Sequence, residues 1–115
     1  MTIDKNLMVL VKSDGIGGGE IDLSQKLMQN FLKTLLESGT IPDIMIFMNT
    51  GIFLTTEGSP VLDTLKELER NGSQIISCGT CLAYYSRKEK LVVGRGGTMK
   101  DTVEAILNHG KILEL

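Results

Sequence analysis

Tryptophan is missing from this 115-residue chain, histidine occurs once, and cysteine and proline occur twice each. Each shortage narrows the chemistry. A structural zinc ion needs four ligands in a tetrahedron. Cys78, Cys81 and the distant His109 cannot supply them within one chain, so no metal is expected. Two cysteines three positions apart cannot staple a fold. The polar stretch Met1 to Asn6 leads straight into a strand pattern and does not read as a signal peptide. The cysteines therefore read as reduced thiols in a cytosolic setting. No apolar run approaches the roughly 20 residues that span a bilayer. A net charge of −2 gives no reason to expect nucleic acid or an anionic membrane as partner. The densest basic group, Arg87-Lys88-Glu89-Lys90, is broken by an acid and reads as a solvated turn. There is no Gly-Lys-Ser/Thr, so no P-loop, and no Trp-Cys-Gly-Pro context of the thioredoxin kind. Pro42 and Pro60 sit away from the cysteines.

What remains is a regular alternation of short apolar runs and helical patterns. Leu7 to Val11 is a continuous aliphatic run, as suits a strand covered on both faces. The segment Gly15-Ile16-Gly17-Gly18-Gly19 follows, and four glycines in five positions make a loop. The dinucleotide fingerprint would need Gly or Ala at position 20, where Glu20 stands. The loop reads instead as one that lets backbone approach the cysteine site or a neighbouring subunit. Asp22 or Ser24 is expected to cap the next helix. Its apolar positions are Leu27, Met28, Phe31, Leu32, Leu35 and Leu36, and Ser38-Gly39 ends it.

Asp43 to Met48 is the second strand pattern, and Asn49-Thr50-Gly51 a turn. Ile52-Phe53-Leu54 reads as a strand extension, a lid or an oligomer contact. Ser59-Pro60 starts a second helix with Val61, Leu62, Leu65 and Leu68 inward, stopped by Asn71-Gly72. Gln74 to Cys78 is the third strand, and Cys81 to Tyr85 a short helix opened by Cys81. Leu91 to Val93 is expected as a fourth strand, with Gly94 to Gly97 a flexible loop after it. Thr98 with Asp101 resembles a capping box. Val103, Ile106 and Leu107 are expected to face inward. Lys111 to Leu115 alternates like an edge strand. The six methionines look like core filler, and His109 like a C-terminal helix residue that favours the dipole. Strict alternation predicts a parallel sheet with helices on both faces. At this length one domain, residues 1–115, buries roughly two thirds of its unfolded surface.

The reactive feature is Cys78-Gly79-Thr80-Cys81, at the end of a strand and the mouth of a helix. Carboxyl ends of strands in open α/β sheets are where ligands bind. A thiolate near a helix N-terminus is stabilised by unpaired N–H groups. Arg95, expected near the same edge, would favour a thiolate and bind an anionic sulfur species. The oriented N–H groups of Gly79 to Cys81 would hold anionic sulfur.

Several motifs then run in order over nearly the whole chain: Ser13-Asp14-Gly15-Ile16-Gly17, Phe47-Met48-Asn49-Thr50-Gly51, Glu57-Gly58-Ser59, Cys78-Gly79-Thr80-Cys81-Leu82 with Tyr85, and Val93-Gly94. Together they resemble a DsrE-like domain, and more narrowly the DsrE-like C-terminal half of YedF-type selenium metabolism proteins. The resemblance implies a three-layer α/β/α domain of DsrEFH-like type with a five-stranded parallel sheet. It implies homo-oligomers and a sulfurtransferase-like sulfur relay, with a persulfide on Cys78. Cys81 is then the candidate resolving thiol, and Gly79, Thr80, Asn49, Gly15, Gly17 and Arg95 are the candidate substrate-binding residues. The partners expected are sulfur donor and acceptor proteins, a TusA-like protein among them, in the cytoplasm and with no cofactor. YedF-type proteins carry a TusA-like half with its own Cys-Pro motif. This chain has none, so it is read as a cut-out domain or one that stands alone. Gly97-Thr98-Met99-Lys100 also departs from the family's Thr-Asn-Met-Tyr run. Two other readings of the same residues stay open: a thiol–disulfide oxidoreductase, and a non-catalytic module that binds a small ligand or partner.

Overall fold

The aliphatic run Leu7–Val11 is the inner half of a longer strand, β1 (Thr2–Val11). The computed structural model describes residues 1–115. After β1 come α1 (Ile21–Glu37), β2 (Thr40–Phe47) and a 3-10 helix (Asn49–Leu54). Then follow α2 (Leu62–Arg70), β3 (Gln74–Cys78), α3 (Gly79–Tyr84), β4 (Arg95–Gly97), α4 (Met99–Asn108) and β5 (Lys111–Glu114). The sheet order is β4-β3-β2-β1-β5, and every pairing is parallel.

The order follows from right-handed crossovers. From β1 to β4 the chain steps one way, so α1 and α2 share one face. From β4 it returns past the whole sheet to β5, and α4 therefore lies on the other face. Alternation along the strands divides the core accordingly. Val9, Val11, Met45, Phe47 and Ile75 pack with Met28 and Leu32 of α1 and Leu65 and Leu68 of α2. Met8, Leu10, Ile44, Ile46 and Ile76 pack with Ala105 of α4.

Several expectations are corrected. Neither Asp22 nor Ser24 caps α1. Glu20 stands at the N-cap without a side-chain bond. Ser24 is buried under Gly15, and Ile16 donates its N–H to the Ser24 carbonyl at 3.0 Å, so the glycine loop folds back onto the first turn. Ser59 caps a turn rather than a helix, accepting from Val61 N–H at 3.1 Å, and α2 starts at Leu62.

Leu91–Val93 is not a strand. Leu91 forms one isolated antiparallel bridge to Thr56, and β4 is Arg95–Gly97. Glycine is needed there for close approach rather than for flexibility. At Gly97 a Cβ would sit 2.4 Å from Ile76 Cγ2. Gly94, at φ +73°, would put one 2.1 Å from the Ile75 carbonyl oxygen.

Ile52-Phe53-Leu54 is neither an extension nor a lid. It belongs to the 3-10 helix, and Ile52 and Leu54 are buried in the main core, which removes Ile52 as a surface contact. On α4 the Thr98–Asp101 capping box forms. Val103, Ile106 and Leu107 point outward, however, at 46%, 39% and 78% exposure. Thr102 and Ala105 face the sheet instead. α4 is alone on its face, so only a narrow stripe is covered, and small residues in it let the helix lie close. No helix is long and apolar enough to cross a membrane.

Candidate functional site

β3 ends at Cys78 and the chain turns at once into α3. Cys78 is thus both the last strand residue and the helix N-cap. Its Sγ accepts the N–H of Cys81 at 3.4 Å. This corrects the expectation that Cys81 opens the helix: Gly79 does, and Cys81 is its third residue. An N-cap side chain reaches the N–H three residues on. The Cys-x-x-Cys spacing therefore places the Cys81 amide on the Cys78 sulfur, and Gly79-Thr80 becomes the first helical turn.

The Cys81 sulfur is held from the other side. It accepts the N–H of Asn49 at 3.1 Å. Asn49 lies one residue beyond the end of β2, after Met48, in the left-handed region at φ +51°, a conformation that Asn adopts more readily than most residues. Its segment is clamped at several points. Met48 donates its N–H to the Val11 carbonyl at 3.0 Å. Gly51 lies so close to β1 that a Cβ would meet the Val11 oxygen at 2.6 Å. Thr55 Oγ1 and the buried Ser77 Oγ are 2.7 Å apart. The Phe53 and Tyr85 rings pack at 4.8 Å. The carboxyl ends of β1, β2 and β3 thus fix the Asn49 amide against the Cys81 thiol.

Both cysteines are free and half-buried. Burial pushes the Cys81 thiol up, and the Cys78 sulfur, within hydrogen-bonding reach of it, adds to that. The Asn49 N–H pulls in the opposite direction. Cys81 is thereby held as the protonated thiol at neutral pH.

The other expected site residues divide. Gly79 is tight against β4, where a Cβ would be 3.1 Å from the Gly97 oxygen. Thr80 is exposed in the first turn of α3. Gly15 and Gly17 are not brought to the cysteines. Gly15 packs on Ser24, and Gly17, at φ +81°, has open space around it. That loop meets the site only through Asp14, whose N–H donates to Thr50 Oγ1 at 3.3 Å. Arg95 pairs in register with Ile76, on the α4 side of the sheet. Its guanidinium donates to the Gly96 carbonyl and lies 3.7 Å from Asp101, so its charge is engaged there rather than by sulfur. No group of three or more His, Cys, Asp or Glu side chains is placed to hold a metal ion.

Sequence reasoning missed the Thr55–Ser77 hydroxyl pair and the role of Arg87. Arg87 is not part of a solvated turn. Its guanidinium lies 4.5 Å from the Phe53 ring centroid and donates to Thr56 Oγ1 at 3.0 Å and the Glu57 carbonyl at 3.1 Å. Those partners are some thirty residues away in sequence, so no local pattern signals them.

No protein-family model and no curated protein matches the chain. Solved structures do. The ychN protein from E. coli superposes with a TM-score of 0.72 at 16% identity, over 97% of this chain and 100% of that one. MTH1491 from Methanobacterium thermoautotrophicum, a protein of unknown function, gives 0.72 at 11% identity over 97% and 100%. BT1422 from Bacteroides thetaiotaomicron, a conserved protein of unknown function, gives 0.63 at 13% over 96% and 95%. At these identities the likeness is one of fold, an α/β domain on a five-stranded parallel sheet that fits the DsrE-like architecture.

Proposed function

We propose that this domain is a sulfur or selenium relay protein, a sulfurtransferase-like carrier that holds a persulfide on Cys78. One observation carries the reading. The Cys78 sulfur caps α3 and accepts the Cys81 N–H, while the Cys81 sulfur beside it is held by the Asn49 N–H. The two sulfurs have different surroundings and different tasks. The Cys81 backbone N–H is aimed at the Cys78 sulfur, which fixes that sulfur at the mouth of α3 where a donor can reach it.

The chemistry is thiol exchange. The Cys78 thiolate attacks the outer sulfur of a donor persulfide, R–S–SH. The donor S–S bond breaks, R–S⁻ leaves, and Cys78–S–SH forms, with no net oxidation. An acceptor thiolate reverses the step and takes the sulfur away. Cys81 offers a second exit. Its sulfur attacks Cys78 Sγ, the Cys81 proton passes to the departing outer sulfur, hydrogen sulfide leaves, and the pair is left as a disulfide that a cellular thiol must reduce. The proposed partners are a donor and an acceptor protein, a TusA-like protein among them, in the reducing cytoplasm. We further propose that the chain associates with itself; a monomer mass by light scattering contradicts this.

Cyanolysis tests the relay. After incubation with polysulfide and desalting, cyanide is expected to release about one thiocyanate per chain from the wild type and none from Cys78→Ser. Release that is equal in both removes Cys78 as the carrier. The nearness of Cys81 to Cys78 also favours disulfide exchange as a second reading. A pair potential far below the cytosolic range excludes turnover of that kind.

A further inference from the structure

We propose that the chain has a second ligand site, separate from the cysteine pair, which takes a small zwitterion of the amino-acid class. Three charged side chains, Asp14, Glu57 and Arg87, line one cavity of about 260 Å³ between the start of α1, the 3-10 helix and the turn at Glu57–Pro60. None of the three has an ion-pair partner in the chain. Neither cysteine lines the cavity.

Two of the charges, Arg87 and Asp14, are held in place before any ligand arrives. Arg87 is fixed by two hydrogen bonds from one nitrogen, Nη1, and by the face of Phe53. Its Nη2 is left free to donate. A guanidinium fixed this way loses little further freedom on binding and presents a planar fork suited to a carboxylate. Asp14 accepts from Gln25 Nε2 through one oxygen, at 3.1 Å, and keeps its other oxygen open. The Glu57 carboxylate and the Gln29 amide also line the cavity, and neither side chain is hydrogen-bonded within the protein.

The mixture of signs selects the ligand. A simple anion meets two carboxylates, and a simple cation meets the guanidinium. A molecule with an ammonium group and a carboxylate a few ångströms apart satisfies both. The volume sets the size, since drug-sized pockets begin near about 300 Å³. An amino acid fits.

The test is a titration of the ¹⁵N-labelled chain with L-alanine, L-glutamine and L-lysine, using propionate and propylamine as single-charge controls. At least one amino acid is expected to give saturable amide shifts at Asp14, Gln29 and Phe53 to Glu57 that neither control gives. The same shifts are expected in Cys78→Ser, so failure of the sulfur relay leaves them untouched. Glu57→Gln, at an exposed side chain with no bond to lose, is expected to weaken binding about tenfold or more, as loss of a charge-assisted bond does. The proposal is overturned if no amino acid gives a saturable shift, if a control matches it, or if Glu57→Gln binds as the wild type does.

Discussion

Gly51→Ala is the substitution that most directly probes how the site is positioned. A methyl at position 51 would lie 2.6 Å from the Val11 carbonyl oxygen and 3.5 Å from Val11 Cγ1. Val11 cannot yield. It is fully buried in a central strand, paired with Phe47, and its oxygen already accepts the Met48 N–H at 3.0 Å. The 3-10 helix must therefore back away by roughly half an ångström, and overpacking of this kind costs about 1–3 kcal/mol. For a domain of this size that is a fall in Tm of roughly 4–12 °C. The same displacement stretches the 3.1 Å bond from Asn49 N–H to Cys81 Sγ. Native-state alkylation with iodoacetamide, located by peptide mass mapping, is expected to speed up at Cys81. A Tm within error of the wild type, with Cys81 alkylation unchanged, refutes the close approach and the clamp built on it.

Other substitutions test the frame. Both ring nitrogens of His109 face acceptors, the Ala105 carbonyl at 2.6 Å and Asp43 Oδ2 at 2.8 Å, so the doubly protonated ring is the one that fits. Burial disfavours that charge, but the Asp43 carboxylate and the Ala105 carbonyl outweigh it and raise His109 above its usual 6.5. Its stabilisation is therefore full below pH 6.5 and lost as pH rises through the raised value. Denaturant midpoints are expected to fall over that window in the wild type and to stay flat in Asp43→Asn; equal slopes contradict the pair. Ser77→Ala leaves the buried Thr55 hydroxyl with only the Ile52 carbonyl, and is expected to cost about 1 kcal/mol in urea unfolding. A second change, Thr55→Val, should then cost less than it does alone, and strict additivity argues against the hydroxyl pair. Ile52→Ala, at a fully buried position, is expected to lose about 2–5 kcal/mol. A loss below 1 kcal/mol, well short of that range, would show that Ile52 is a surface residue after all.

The sheet was legible because its signals are local. The runs Leu7–Val11, Asp43–Met48 and Gln74–Cys78 are bounded by loop residues, and they mark the three central strands, the second of which ends one residue earlier, at Phe47. β4 was illegible because its three residues, Arg95-Gly96-Gly97, carry no apolar side chain. Their strand character comes from fitting against Ile76, a contact about twenty residues away. The outward turn of Val103, Ile106 and Leu107 has a similar cause. Helical periodicity finds a stripe, but which stripe lies down depends on what the opposite face holds, and α4 has no neighbouring helix. Within the site, Cys78 and Cys81 stood out by residue type and spacing, whereas their roles as cap and third helical residue needed the backbone. Asn49 was singled out by resemblance. That it acts through its amide, from a left-handed conformation, is a property of the fold. Arg95 was expected in a loop at the carboxyl edge beside Cys78; it lies within β4 instead, paired with Ile76, because the strand occupies the glycine segment rather than Leu91–Val93.

Intact-protein mass spectrometry after incubation with a sulfane-sulfur donor tests the central claim most directly, on the wild type, Cys78→Ser and Cys81→Ser. The account predicts one added sulfur on the wild type and on Cys81→Ser, retained longer in the latter, and none on Cys78→Ser. An added sulfur on Cys78→Ser but not on Cys81→Ser would contradict it, and would make the half-buried Cys81 thiol under Asn49 the carrier instead.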